Sequence, residues 1–264
     1  MYAEVHEVIE LSPTLLRVVL TGGTLDEFEA SDATDAYINA QFLPENSPVV
    51  VPFEPEDLEG LDPSLRPRPR RFTIRGWDPK QRRLSIDFVS HGEEGYAGSW
   101  ASRTKPGDRL QFKGPGGNYR PSPDVDWHLF VGDESALGAI GASLESLPSE
   151  ARSLVFALVD SADHEIDLPS DADVTVNWLH RNTAADPETV LPEAVAGAAF
   201  LDGSFDVFVH GEAAEVRAVR QHLVADRGVD PDTASISPYW RRQHSDEDWR
   251  RIKRSWMTEQ LSNA

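Results

Sequence analysis

The feature that most constrains the fold is a change of rhythm near residue 121. Before it, short β-rich runs stop at glycine, proline or aspartate turns; after it, longer apolar runs alternate with helical segments. The first pattern is typical of a small antiparallel barrel, and the second predicts a parallel sheet covered on both faces. We therefore expect two domains, residues 1–122 and 123–264, divided at the Pro121-Ser122-Pro123 stretch.

Six short strands are expected in the first domain, and the proline-rich, acidic residues 44–69 between the third and fourth are expected to form an irregular loop. In the second domain we expect four strands and three helices. The strands of the first domain are Val5–Leu11, Leu15–Leu20, Tyr37–Leu43, Arg71–Trp77, Leu84–Val89 and Arg109–Lys113; the second has strands His128–Val131, Ser153–Val159, Val174–Leu179 and Phe205–Val209, and helices at 134–147, 212–225 and 246–260.

Composition excludes several classes of protein. Cysteine is absent, which excludes disulfides, Cys-ligated zinc and Cys-bound iron–sulfur clusters. The net charge of −20 argues against nucleic-acid binding and against anionic membrane surfaces. There is no apolar run of about 18 residues, and the N-terminus carries acids where a signal peptide needs bases. We expect a cytoplasmic protein.

The charge is unevenly distributed along the chain. Residues 1–65 carry 1 base and 14 acids, whereas residues 66–120 carry 13 bases and 5 acids. A basic island in an acidic chain suggests a bound anion; the alternative is a set of solvated arginines at strand ends.

The basic island contains two stretches suited to a flavin nucleotide. In residues 70–75 an aromatic side chain stands beside a hydroxyl, with arginines on either side: Arg70, Phe72, Thr73 and Arg75. A flavin needs a ring to pack on its isoalloxazine, a hydroxyl near N5 and guanidinium groups for phosphate. An ordinary strand with Phe72 inward is the alternative. Residues 87–101 then run from a strand through a glycine-rich turn into a short helix, whose backbone N–H groups can hold a pyrophosphate.

These stretches resemble the siderophore-interacting proteins, which are FAD-dependent ferric-siderophore reductases related to ferredoxin reductases. The family's flavin strand reads approximately Arg-x-Tyr-Thr-x-Arg, with Phe72 here in the tyrosine place. Its next segment is matched by Asp87, Phe88, Val89, His91, Gly92, Gly95, Ala97, Trp100 and Ala101. Tyr96 replaces a proline and Gly98 a serine, which leaves Ser99 one place late. Further similarity lies at residues 106–108, 114–117, 132–137, 178–181, 211–213 and 239–241.

The resemblance implies a mechanism and a set of site residues. NAD(P)H reduces FAD by hydride transfer, and electrons then pass singly to a ferric siderophore, whose hard oxygen donors hold Fe(III) far better than Fe(II). Phe72 and Thr73 position the reacting ring, and Arg70 and Arg75 meet FAD phosphate or the anionic chelate. The other residues assigned to FAD are Asp87, Val89, His91, Gly92, Ala97, Ser99 and Trp100.

The second domain lacks Gly-x-Gly-x-x-Gly but carries a single-glycine turn after its first strand, formed by Gly132, Asp133, Glu134 and Ser135. Dinucleotides lie at such strand ends, and the resemblance places NADPH or NADH there, with Trp240 as a further cofactor contact. Arg181 is a candidate 2′-phosphate partner, whereas Asp160 is a candidate for a ribose hydroxyl. The sequence leaves the choice between NADPH and NADH unsettled but favours NADPH.

The sequence also bears on other functions. The eight histidines show no paired spacing, so we expect no metal site, and no Gly-x-Ser-x-Gly elbow supports a hydrolase. A reductase of free flavin, quinone or a protein acceptor shares the same scaffold, and a non-enzymatic binder of ferric chelates is a third hypothesis. We expect a monomer.

Overall fold

The computed structural model describes residues 1–90 and 95–262, with side chains through residue 259. The chain forms two compact units, Met1–Arg120 with Gly141–Ser143, and Pro121–Ile140 with Leu144–Ala264. No helix in the described ranges combines the length and apolar character needed to cross a bilayer.

The first unit is a closed antiparallel barrel of six strands in the order β1-β2-β5-β4-β3-β6. A helix, α1, lies between the fifth and sixth strands along the chain. Side chains alternate between the barrel core and the outside, as the period of two in the sequence requires: in β5, Leu84, Ile86 and Phe88 are fully buried. The elements are β1 (Tyr2–Ser12), β2 (Leu15–Thr21), β3 (Tyr37–Phe42), β4 (Arg68–Asp78), β5 (Arg83–Val89), α1 (Tyr96–Arg103) and β6 (Arg109–Gly116).

The second unit is a five-stranded parallel sheet in the order β11-β10-β7-β8-β9. All seven residues of β7 are buried, which explains its unbroken apolar run. The chain proceeds from β7 to β8 on one side and later to β10 on the other, so a topological switch point lies between β7 and β10. The elements are β7 (Trp127–Asp133), α2 (Leu137–Glu145), β8 (Arg152–Val159), β9 (Asp173–His180), α3 (Val190–Gly197), β10 (Phe205–Glu212), α4 (Ala213–Arg227), β11 (Ser235–Trp240) and α5 (Asp246–Ser262).

The predicted fold class, a six-stranded barrel followed by a parallel α/β sheet, is confirmed. Two elements were not expected: the short helix α3 and the edge strand β11. The helix expected at 134–147 begins later, at Leu137, because Asp133 Oδ1 accepts hydrogen bonds from the backbone and hydroxyl of Ser135 and holds a turn there.

Candidate functional site

Four aromatic rings form a cluster in the barrel. The Phe72 ring centroid lies 4.4 Å from that of Phe88 and 5.9 Å from that of Phe42. Trp100 lies 5.7 Å from both Phe42 and Phe88. Phe42 and Phe88 are buried, whereas Phe72 and Trp100 are half-buried. The cluster therefore has a solid interior and a partly open aromatic edge formed by Phe72 and Trp100.

The neighbours of Phe72 on β4 supply polar groups. Thr73, opposite Tyr37 in the β3–β4 pairing, is half-buried. Arg70 lies with its guanidinium carbon 5.7 Å from the centre of the Tyr96 ring, and its Nη1 donates to the Pro69 carbonyl at 3.0 Å. Arg75, in contrast, is only 7% exposed. The structure thus separates the two arginines, with Arg70 against a surface ring and Arg75 buried.

Two residues that the sequence interpretation did not assign to the site lie beside Arg70. Arg68 has its guanidinium carbon 5.8 Å from the same Tyr96 ring. Its Nε is buried and makes no hydrogen bond to any described residue. A buried donor without a partner is costly, so this atom suits an anionic ligand. The alternating run of arginines and prolines at 66–70 was the available signal for Arg68; Tyr96 was noted only as a departure from the family pattern.

The helix α1 begins beside these residues. Its N-cap, Gly95, has φ +76° and provides no side-chain cap, and the first-turn N–H groups of such a helix can bind an anion. Gly98 allows α1 to approach the end of β5, because a Cβ there would lie 3.2 Å from the Val89 carbonyl oxygen. Ala97 is half-buried and Ser99 is buried. His91 and Gly92, also assigned to FAD, lie outside the described residues.

Asp87 has a different environment from the rest of this group. Its two carboxylate oxygens accept hydrogen bonds from Arg17 Nε and Nη2 at 2.7 and 2.8 Å, and its side chain is 5% exposed. This ion pair joins β2 to β5, so the Asp87 carboxylate links two strands of the barrel.

These barrel residues fit FAD. The open aromatic edge suits an isoalloxazine ring, and the orphaned Arg68 donor and the uncapped start of α1 suit its phosphates.

In the α/β unit, Asp133 connects three strand ends. Its side chain is fully buried at the end of β7. Oδ1 accepts from the Ser135 backbone and hydroxyl at 2.9 and 2.5 Å, while Oδ2 accepts from the Glu212 backbone at 2.8 Å and from Trp240 Nε1 at 2.7 Å. Gly211 is required beside it, because a Cβ there would lie 2.8 Å from Oδ2. Four of the predicted cofactor residues, Gly132, Asp133, Ser135 and Trp240, are thus brought together at this carboxylate.

Arg181 and Glu134 also meet. Arg181 Nη1 and Nη2 donate to the two Glu134 carboxylate oxygens at 2.5 and 2.9 Å, and Nη1 donates to Asp160 Oδ1 at 3.0 Å. Burial raises the pKa of Glu134, and Arg181 opposes that shift. Burial acts to lower the pKa of Arg181, but the bonds to Glu134 outweigh it and the net shift is upward. This arginine is committed to two carboxylates.

A second buried ion pair lies at the start of α4. The Glu212 carboxylate caps this helix, accepting from the Ala214 and Glu215 backbone at 2.6 and 3.2 Å. Arg242 donates to Glu215 Oε1 and lies 3.3 Å from Glu212 Oε2. Burial raises the pKa of Glu215 to about 7, with Asp133 adding to the shift and Arg242 opposing it. Its Oε2 has no hydrogen-bond partner among the described residues.

No group of three or more metal-ligating side chains occurs within residues 1–90 and 95–262.

Comparison with protein families gives two matches that together cover nearly the whole chain. The siderophore-interacting FAD-binding domain matches residues 4–119, and the family described as siderophore-interacting protein matches residues 125–243.

Similar curated proteins cover most of the chain. An uncharacterized protein of Mycobacterium tuberculosis is 41% identical over 264 residues, covering 95% of this chain and 93% of its own. The ferric vibriobactin reductase of Vibrio cholerae is 34% identical over 255 residues, with the same coverages of 95% and 93%. The NADPH-dependent ferric-chelate reductase of Escherichia coli is 30% identical over 240 residues, covering 89% of this chain and 91% of its own.

Among solved structures, the siderophore-interacting protein SipS from Aeromonas hydrophila is similar over the full length. It superposes with a TM-score of 0.82 at 28% identity and covers 98% of each chain.

Proposed function

Because the chain belongs to the siderophore-interacting protein family, we propose that it reduces ferric siderophores with NADPH or NADH as electron donor, through FAD, and releases iron as Fe(II) in the cytoplasm. Membership makes the chain an FAD-dependent oxidoreductase of this reductase class. We propose, in addition, the electron donor, the release of iron in the cytoplasm and the roles of the individual residues.

The observation that carries the proposal is the partly open aromatic edge of the barrel, together with the orphaned Arg68 donor on the strand that also holds Phe72. Phe72 and Trp100 offer ring faces and edges, and their positions are set by the buried Phe42 and Phe88. Arg68 and Arg70 lie within 6 Å of the centre of one tyrosine ring, which holds two like charges together in an otherwise acidic protein.

The chemistry supplied by bound FAD is the conversion of a two-electron hydride donor into single electrons, which Fe(III) accepts one at a time. Phe72 and Trp100 orient the ring, and Thr73 holds a hydroxyl beside it. Arg68 and Arg70 attract the anionic groups, whether FAD phosphate or ferric chelate. Reduction weakens the hold of the chelate, because hydroxamate and catecholate oxygens prefer Fe(III).

The test is an anaerobic titration of the flavin-loaded protein followed by its absorption spectrum. We expect NADH or NADPH to bleach the flavin and a ferric siderophore to restore its absorbance while an Fe(II) indicator develops colour. The gallium(III) form of the same siderophore is the matched control, because Ga(III) has nearly the same shape and charge but is not reduced.

Two results would contradict the proposal. A protein that cannot be reconstituted with FAD would leave only chelate binding. A reduced protein that is reoxidised by quinone but not by any ferric siderophore would indicate a reductase of another acceptor.

A further inference from the structure

We infer that the carboxyl end of the parallel sheet selects NADH over NADPH, and that Glu134 and Asp160 impose this selection by holding Arg181. The inference rests on the proposed use of a nicotinamide donor and names which of the two donors the site prefers.

The relevant residues stand at the strand ends where dinucleotide-binding sheets distinguish the two cofactors. In such sheets an acidic residue hydrogen-bonds the adenosine ribose of NAD, and a nearby arginine accommodates the 2′-phosphate of NADP. Asp160 directly follows β8, the second strand of this sheet along the chain, and Arg181 directly follows β9, its neighbour. The sheet thus has both an acidic residue for a ribose hydroxyl and an arginine for a 2′-phosphate. The contacts between these two residues determine which cofactor is preferred.

Arg181 is engaged on both sides. Arg181 Nη1 and Nη2 donate to the two Glu134 carboxylate oxygens at 2.5 and 2.9 Å. A phosphate that binds Arg181 would need the same bidentate geometry. Asp160 takes a third hydrogen bond at 3.0 Å. The Arg181 side chain is 18% exposed and that of Glu134 is 8% exposed. A phosphate must therefore displace a buried carboxylate that has no other cation among its bonded partners in the described ranges.

Asp160 is placed to contact a ribose. Its side chain is 46% exposed, in contrast to the two groups that it accompanies. Only Oδ1 is bonded to Arg181, and Oδ2 has no partner in the described part of the chain. A carboxylate oxygen of this kind accepts hydrogen bonds from ribose hydroxyls and repels a phosphate in the same position.

The wider charge at this end of the sheet acts in the same direction. His180, the last residue of β9, is itself paired with Glu165 at 2.8 Å. The other ion-paired and hydrogen-bonded charges described above are four carboxylates and two guanidinium groups: Asp133, Glu134, Asp160 and Glu212 with Arg181 and Arg242. Glu215 lies there too, with its pKa raised to about 7 by burial. A 2′-phosphate adds nearly two further negative charges to this surplus.

The direct test is equilibrium binding to the flavin-loaded protein, measured by calorimetry with two probes, 5′-AMP and 2′-phospho-AMP. We expect 5′-AMP to bind at least tenfold more tightly. Tighter binding of 2′-phospho-AMP, or binding of neither probe, would overturn the inference.

Charge removal at Asp160 sharpens the test. Asp160→Asn keeps an oxygen for Arg181 but removes one negative charge, so 2′-phospho-AMP should bind about tenfold more tightly than to the wild type, which is about 1.4 kcal/mol. Asp173→Asn is the matched control, because Asp173 is exposed at the opposite end of the neighbouring strand β9. Equal gains in the two variants would reduce the effect to net charge and contradict a role for Asp160.

A paired substitution examines Arg181 without leaving Glu134 alone in the interior. Glu134→Gln with Arg181→Gln retains hydrogen bonding between two amides. If Arg181 is committed as the structure shows, this double variant changes the binding of both probes by a similar factor. A selective loss of 2′-phospho-AMP binding, by tenfold or more, would show that Arg181 receives the phosphate and would refute the inference.

Steady-state kinetics separates this inference from the proposed function. The ratio of kcat/KM for NADH to that for NADPH, with a ferric siderophore as acceptor, should be at least ten. A ratio below one contradicts the inference and leaves the reductase function intact. If neither nucleotide reduces the flavin while 5′-AMP still binds preferentially, the proposed donor is wrong and the adenosine specificity stands.

Discussion

The barrel and the parallel sheet carry opposite kinds of site. The barrel gathers half-buried aromatic rings and arginines, one of which has a buried nitrogen without a partner among the described residues. The sheet gathers carboxylates at its strand ends, and two of them, Glu134 and Glu215, bind Arg181 and Arg242. A guanidinium group with an unused donor suits an anion, whereas one that carboxylates already hold, as in Arg181, discriminates against additional negative charge. In a chain of net charge −20, the two proposals thus assign anion binding to the barrel and selection between the two donors to the sheet.

The largest effect should follow from Asp133→Ala in the sheet. Four donors lose their acceptor in a fully buried position, so the free energy of unfolding of the α/β unit should fall by roughly 3 to 5 kcal/mol. Urea denaturation followed by circular dichroism measures it. Asp163→Ala, at an exposed position, should change it by less than about 0.5 kcal/mol. Similar losses in both variants would show that Asp133 does not hold the strand ends together.

The buried Glu215 should make the stability of the sheet depend on pH. Its pKa is raised from 4.5 to about 7 in the folded protein, so the folded state binds the proton more tightly than the unfolded state between these values. The free energy of unfolding should therefore fall as pH rises from about 4.5 to about 7, with a contribution of about 3 kcal/mol from this group.

Glu215→Gln should remove that contribution and be the more stable form at pH 8. Glu193→Gln, at an exposed position on α3, is the control and should leave the pH profile unchanged. A wild-type profile that matches the profile of the Glu215→Gln variant throughout would contradict the raised pKa.

In the barrel, Phe72→Leu should weaken FAD binding about tenfold, because the variant keeps apolar volume but loses ring stacking. Titration of the apoprotein with FAD, followed by flavin fluorescence, measures the Kd. Phe28→Leu removes a buried ring that packs 4.8 Å from Trp77, away from the cluster, and should leave the Kd within a factor of two. An equal weakening in the two variants would argue against Phe72 as a flavin contact.

The smallest effect is expected for Arg68→Gln, which should raise the KM for an anionic ferric siderophore about fivefold at low ionic strength and little at high salt. Arg103 also belongs to the basic island, but it pairs with Glu45 at 2.5 Å. Arg103→Gln should therefore leave the KM nearly unchanged. If both substitutions raise it equally, the attraction comes from the basic island as a whole and not from the orphaned group.

The strands of the barrel could be predicted because their signals are local. Alternation in Leu84–Val89 and turn residues at Pro106-Gly107-Asp108 set each strand independently of the others. The edge strand β11 was not predicted, because Pro238 interrupts its strand pattern. A proline is tolerated there because β11 pairs with β10 alone. The helix α3 is only eight residues long and has Pro192 in its first turn.

The site was less predictable than the fold, for a physical reason. Residue type indicates what a side chain can bind. Partners distant in sequence determine which of its hydrogen-bonding atoms are still available to a ligand. Residue type makes Arg181 a candidate phosphate ligand, but the sequence could not show that Glu134, 47 residues away, binds it. Asp87 is likewise used by Arg17, 70 residues earlier. Arg68 showed the reverse, since its unused nitrogen became evident only from its burial.

The closed barrel has a consequence for the order in which the chain can fold. Its first strand, Tyr2–Ser12, pairs with β2 on one side and with Arg109–Gly116 on the other. During synthesis the ribosome delivers β1 about a hundred residues before β6, so the nascent barrel keeps one seam open for several seconds at ordinary elongation rates. The unpaired backbone N–H and C=O groups of such an open edge can pair with a strand of another chain. Pairing of β6 with β1 removes this edge.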